Sequence, residues 1–322
     1  MKTLNQNHHD MTKQGIEYKT EGNRTRGIVQ GYHSTKYLGF IDHSKGAKNS
    51  DIAQLPKRDR ANITNVAGDW ESKFTIGMEV EKARLHRASV KEHALFAGFE
   101  KDSSCGYEAI THILPLLGAS TWRTKVFSMM HDAEKIIDEQ WSQSNYKCGG
   151  HITMACEGMD GEEIRKAVRK NMGIFYALFR KRLSNGYCKH NILMETRTGG
   201  MSRYQAVLVK SSTIEFRLIS KFQTVKQMMR RYELCYELMN FSINNPNGSH
   251  GAFLKKITPI IVSMYEGDMS KVAYILDLAK HMRKYLTTGK VNRQVINFID
   301  PARNMNATDC YDRELLRNGY RA

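Results

Sequence analysis

No apolar run in the 322-residue chain is long enough to span a bilayer. Its first fifteen residues, MKTLNQNHHDMTKQG, lack the apolar segment of a secretory signal, so a soluble protein that stays in the cytoplasm, with no membrane partner, is expected. The six cysteines (Cys105, Cys148, Cys156, Cys188, Cys235, Cys310) contain no CxxC pair. That spacing argues against a zinc ribbon and a dense disulfide framework, and predicts reduced thiols. The two common nucleotide signatures are also missing. TTGKVN at 287–292 has neither the leading glycine nor the hydroxyl of a P-loop, and no GxGxxG occurs. No internal repeat is visible.

Acid is the scarcer charge, with 33 Asp and Glu against 49 Lys and Arg and a net charge of +16. The excess favours anionic partners: nucleotides, nucleic acid, acidic substrates or an anionic surface. Basic runs occur in RKAVRK (165–170) and RKR (180–182), without a homeodomain, zinc-finger or RNP signature beside them. We read these runs as solvated helix faces and keep nucleic acid as an alternative partner.

Along the chain, residues 1–70 are polar and basic with one apolar island, YLGFI at 37–41, and read as a loosely ordered arm. Residues 71–222 alternate strands and helices. Strands are predicted in FTIGMEVEKARL, FEKDSSCGYEAITHI, CGGHITMAC, RYQAVLVK and STIEFRLIS. Helices are predicted over 121–143 and 161–184, the second with Asp160 as N-cap. Residues 223–300 read as C-terminal helices packed on the same domain, in segments near 223–243, 252–265 and 268–286, and 301–322 as an irregular tail. The fold class is α+β with a helical C-terminal part.

The strand IGMEVE carries the first chemical signal. Side chains alternate along a strand, so Phe74, Ile76, Met78 and Val80 point one way while Glu79 and Glu81 point the other. The pattern recurs, with His151 and Thr153 opposed to Ile152 and Met154, and Glu215 and Arg217 opposed to Ile214, Phe216 and Leu218. If these strands share a sheet, five ionisable groups line one concave face. Convergent carboxylates call for a cation, because like charges a few ångströms apart cannot all stay ionised unaided. An oxygen-rich set with one imidazole suits Mg²⁺ or Mn²⁺ better than zinc. Arg217 could supply charge to a phosphoryl group.

The series IGMEVE, KDSSCGYEAI, CGGHIT and TIEFRLIS, in this order with helices between, resembles the amidoligase family of the carboxylate-amine ligase superfamily, which has the glutamine synthetase and glutamate-cysteine ligase fold. The form is similar to amidoligases carried by bacteriophages, where a YHS segment like GYHSTK at 31–36 precedes the first strand. For such an origin the location would be the host cytoplasm. The resemblance spans residues 30–245 and implies a curved antiparallel sheet around Mg²⁺ and ATP. A substrate carboxylate is phosphorylated there and an amine attacks the acyl phosphate, giving an amide.

Carried over by motif, Glu79 and Glu81 match paired acids expected to hold metal or the substrate amine. Glu108 matches a metal ligand and Asp102 a substrate contact, in a DxS...GxE pair. His151 matches the histidine of a GxHxH strand; Glu215 and Arg217 match an ExR pair of metal ligand and phosphate contact; Arg203 falls where an arginine could touch phosphates. The implied metal ligands are thus Glu81, Glu108, His151 and Glu215, with Arg203 and Arg217 on the nucleotide. The resemblance implies that Glu79, Glu81, Glu108 and Arg217 carry the catalysis. Such chemistry needs positioning and charge neutralisation rather than a protein nucleophile. Thr153 departs from the pattern by replacing the second histidine.

The substrates implied are a carboxylate and an amine donor, with a protein side chain, a cell-wall peptide and a free amino acid all open. Two other readings stand beside the ligase. One is a catalytically degenerate basic protein on the same fold, binding nucleic acid or a phage or host component. The other is a Mg²⁺-ATP enzyme that transfers phosphate without making an amide.

Overall fold

A computed structural model describes residues 72–83, 95–102, 106–111, 114–138, 148–184, 188, 205–210 and 213–288, with the backbone of four short strands before them. These are Glu17–Glu21 (β1), Arg24–Ile28 (β2), Tyr37–Leu38 (β3) and Phe40–Asp42 (β4). The first three form a small antiparallel sheet, and β4, which begins in YLGFI, joins the main one.

The main sheet is built on Phe74–Lys82 (β5), a nine-residue strand buried on both faces. Its other members are Phe96–Asp102 (β6), Gly106–Thr111 (β7), Leu114–Pro115 (β8), Ile152–Cys156 (β9), Val207–Val209 (β10) and Ile214–Phe216 (β11). The order is β10-β11-β9-β5-β7-β6-β4, with β8 extending β7 alongside β5. All pairs are antiparallel except β4 with β6, which is parallel. Between β7 and β8 the register slips by one residue, since Glu79 faces Ile110 but Thr75 faces Pro115. The hydroxyl of Thr111 accepts the N–H of Met78 there, at 3.0 Å.

Seven helices are present among the described residues: Thr121–Asp132 (α1), Glu134–Ile137 (α2), Gly161–Val168 (α3), Gly173–Leu178 (α4), Val225–Asn244 (α5), His250–Met264 (α6) and Met269–Thr288 (α7). A 3₁₀ turn at Arg180–Ser184 follows α4. Ser120, Thr224 and Ser249 each cap a helix by accepting a backbone N–H. Asp160 does so as half of a capping box with Glu163. Helices cover the apolar face of the sheet, where Phe74, Ile76, Met78 and Val80 align with Ile152, Met154, Ile214 and Phe216. Phe175 of α4 meets Phe216 with ring centroids 4.7 Å apart.

The architecture is mixed, an open and mainly antiparallel sheet with helices packed on it, in keeping with the α+β expectation. No described helix is long and apolar enough to cross a membrane.

Two helices and two strands differ from their expected extents. The helix expected over 161–184 is interrupted at 169–172, where Asn171 turns its side chain inward to bond Ser242 and His250. The helix expected over 121–143 breaks at Ala133, and residues 139–143 lie outside the described set. The last two strands are shorter because the N–H groups of Arg217 and Leu218 both turn to the carbonyl of Ala206.

Candidate functional site

Register places the site. On the second face of the sheet, Glu215 lies beside Thr153, which lies beside Gly77. In the next row His151 flanks Glu79, whose N–H donates to the His151 carbonyl at 3.0 Å, and Ile110 follows. A third row pairs Glu81 with Glu108, and Glu108 with Glu100. Gly77 leaves the middle of this face without a side chain.

His151 is the hub. Its Nδ1 lies 2.7 Å from Glu79 Oε2, 3.0 Å from Glu81 Oε1 and 3.7 Å from Glu215 Oε1. One ring nitrogen carries at most one proton and cannot satisfy three carboxylates. Burial pulls the imidazole down to about 4, with the attraction of Glu81 opposing it, so the ring is neutral near pH 7. Burial likewise pushes the Glu81 carboxyl above its ordinary range.

Glu79, Glu81 and Glu215 are each no more than 2% exposed, but their surroundings differ. Glu215 sits between two cations, Arg217 Nη1 at 2.5 Å and Lys210 Nζ at 2.6 Å. Glu81 Oε2 accepts the N–H of Gly149 at 2.5 Å. Its Oε1 has no hydrogen-bond partner among the described residues, and neither has the buried hydroxyl of Thr153. The guanidinium of Arg217 is held fully charged, since the pull of Glu215, Glu79 and Glu81 outweighs the cost of burial.

Among the described residues, two sets of ligand atoms are close enough to hold a metal ion: Glu79, His151 and Glu215, and Glu79, Glu81 and Glu108, each within 4.8 Å of one another. Glu79 is common to both. Carboxylate oxygens dominate, and two buried oxygen atoms of this face lack a hydrogen-bond partner among the described residues, which is the donor chemistry of a hard divalent cation.

The structure therefore brings together Glu79, Glu81, Glu108, His151, Glu215 and Arg217. Asp102 ends β6, in register with Gly106 and one turn of the hairpin away from Glu108. Arg203 and the YHS segment lie outside the described residues.

Three residues at the site escaped the sequence reading. Lys210 reaches Glu215 across the β10–β11 hairpin, a pairing that the hairpin spacing could have suggested. Gly149 is needed because an added Cβ would stand 2.6 Å from His151 Nε2, and the Gly-Gly doublet before the histidine was the available signal. Arg182, in the RKR run expected to be solvated, is 3% exposed and donates to the carbonyl of Cys148 at 2.9 Å. That run corrects the expectation in part. In the other basic run, Arg165 is also buried, paired with Glu162.

In comparisons with protein-family models, curated proteins and solved structures, the chain matches none of them.

Proposed function

We propose that the protein is an ATP- and Mg²⁺-dependent carboxylate-amine ligase on a glutamine synthetase-like sheet, forming an amide through an acyl phosphate. One observation carries this reading: four carboxylates and an imidazole converge on one buried sheet face with fewer internal cations than acids. Glu79, Glu81, Glu108, His151 and Glu215 would hold Mg²⁺ or Mn²⁺, whose charge would neutralise developing negative charge on transferred phosphoryl oxygens. Arg217, now paired with Glu215, would meet phosphate oxygens once Glu215 turned to a cation, and Arg203 takes that role in the resemblance. Burial excludes bulk water, which protects an acyl phosphate from hydrolysis.

A second reading has its own support. Glu215 already has both oxygens engaged by Lys210 and Arg217, and Thr153 stands where a second imidazole would be, as a non-catalytic copy of the fold would allow.

The test is a thermal shift with Mg²⁺ and a non-hydrolysable ATP analogue, beside Glu81→Ala and Glu215→Ala. A rise in wild type that both variants lose supports the ligase, and product analysis with and without an amine acceptor then separates amide formation from simple phosphate transfer. Absence of any rise at millimolar ligand sinks the ligase reading. In that case retention on nucleic acid that collapses steeply with salt would favour the basic binding protein.

A further inference from the structure

The Cys148–Gly149 peptide unit is gripped at both ends. Its carbonyl accepts from Arg182 Nη1 at 2.9 Å, and its N–H donates to Glu81 Oε2 at 2.5 Å. The same two residues lead into His151, and Gly149 pairs as an isolated bridge with Ser220. Arg182 is fixed in turn by its own backbone, whose carbonyl accepts the Cys188 thiol at 2.9 Å and whose N–H donates to the carbonyl of Phe179 at 2.9 Å. We propose that Arg182 is a positioning residue of the acidic face, acting through the Cys148–Gly149 peptide to hold the Glu81 carboxylate in its place for a divalent cation.

The physical reasoning has two parts. A cation on a peptide oxygen polarises the unit and makes its N–H a stronger donor, so Arg182 strengthens the Gly149 bond to Glu81. A carboxylate held by one oxygen presents the other in a fixed direction, and Glu81 Oε1 is the buried oxygen without a hydrogen-bond partner. Arg182 itself is not placed on the reacting atoms.

The sign of the effect separates this role from simple charge. Arg182 lies close enough to repel a cation at the acidic face, so deleting its charge would tighten cation binding if through-space electrostatics were all. A positioning role predicts the reverse, because outer partners that orient a ligand are worth about 10- to 100-fold in metal affinity.

The experiment has two arms, and only the second rests on the proposed cation site. In the first, carbonyl-labelled cysteine and ¹⁵N-glycine mark the two Cys–Gly pairs of the chain, Cys105–Gly106 and Cys148–Gly149, and Cys105→Ser leaves Gly149 alone. The Gly149 amide proton is expected far downfield in wild type, moving upfield in Glu81→Gln and in Arg182→Met, and less in Arg182→Lys. In the second, Mn²⁺ affinity is expected to fall about tenfold in Arg182→Met, to recover partly in Arg182→Lys, and to fall no further when Arg182→Met is added to Glu81→Gln. An unmoved Gly149 resonance, or tighter Mn²⁺ binding in Arg182→Met, overturns the proposal. If wild type binds no Mn²⁺, the cation reading falls and the amide arm alone decides the positioning role. If Arg182→Met does not fold, Arg182→Lys carries both arms, its single nitrogen in place of the guanidinium fork giving the smaller shift and the smaller loss.

Discussion

Two carboxylates of the same buried face should respond oppositely to loss of charge. Glu215 is satisfied, with one oxygen 2.5 Å from Arg217 and the other 2.6 Å from Lys210. Glu215→Gln would leave two cations facing a neutral amide. Breaking a buried pair costs about 3–5 kcal/mol, and because Lys210 is partly exposed we take the lower end, about 3 kcal/mol. Glu81 has no lysine or arginine ion pair among the described residues, a near neighbour in Glu79, and a carboxyl that burial pushes upward. Glu81→Gln keeps an acceptor for the Gly149 N–H and removes the charge, so it should stabilise by about 1 kcal/mol, the scale on which relief of a strained site acts.

Calorimetry in EDTA at pH 8 reads both. For a chain of this length 1 kcal/mol corresponds to about 2 °C, so Glu215→Gln should melt about 6 °C below wild type and Glu81→Gln about 2 °C above it. The pH dependence has a definite sign. A folded carboxyl raised above its unfolded value binds protons more tightly in the native state, so its favourable contribution is present at low pH and lost as pH rises through the folded value. The advantage of Glu81→Gln should therefore shrink toward pH 5. Saturating Mg²⁺ should invert the order, since wild type gains about 2.7 kcal/mol at a hundred times Kd and the variant gains little. If both substitutions lower Tm in EDTA by similar amounts, Glu81 is as well satisfied as Glu215 and the argument for a cation fails.

Other outcomes test the frame that holds the site. His250, 7% exposed at the start of α6, bonds Asn171 Oδ1 at 3.1 Å, and burial with Arg283 and Lys280 nearby lowers it to about 4. The unfolded ring titrates near 6.5, so stability should be complete above that pH and decline by about 2 kcal/mol toward pH 4; His250→Gln should flatten the curve in urea titrations, His151 contributing equally to both proteins. In Gly150→Ala the new methyl would overlap the Ser220 carbonyl oxygen, which also accepts from the fully buried Arg231, so a loss of about 2 kcal/mol or more is expected by denaturant unfolding. Arg169 donates to the carbonyl of Leu286 at 2.8 and 3.0 Å, capping the end of α7, so Arg169→Gln should lower stability by about 1 kcal/mol without changing retention on a DNA column.

Much of the candidate site was legible because a strand's alternation is local. Glu79, Glu81, His151 and Glu215 could be put on one face from their spacing alone, and register then did the rest. Long C-terminal helices were legible for the same reason, their apolar spacing being set within each segment. What the sequence hid depends on packing between distant segments. The break after α3 follows from Asn171 reaching Ser242, 71 positions on, and Gly173 lies where a side chain would strike the α7 backbone at Ala279 and Arg283. Lys82 sits on the apolar face of β5, where alternation predicts a hydrophobe. Its ammonium finds the carbonyls of Ile137 at 2.6 Å and Phe222 at 3.1 Å, partners no local pattern announces.

The interior use of cations bears on what a net charge of +16 can mean. Arg231 is fully buried, with the Phe179 and Phe222 ring centroids 5.1 and 4.9 Å from its guanidinium and the Ser220 hydroxyl accepting at 3.0 Å. Arg182, Lys82 and Arg165 are buried as well, and Arg217 and Lys210 serve Glu215. A cation inside the fold has its donors taken by carbonyls and carboxylates and cannot touch a phosphate directly. The count of basic residues therefore overstates the contacts offered to a polyanion such as nucleic acid. Of these cations, Arg217 and Lys210 border the acidic face, whose four carboxylates outnumber them. On the proposed reading, a small divalent cation would answer that excess of carboxylates, and a compact anionic substrate would come with it.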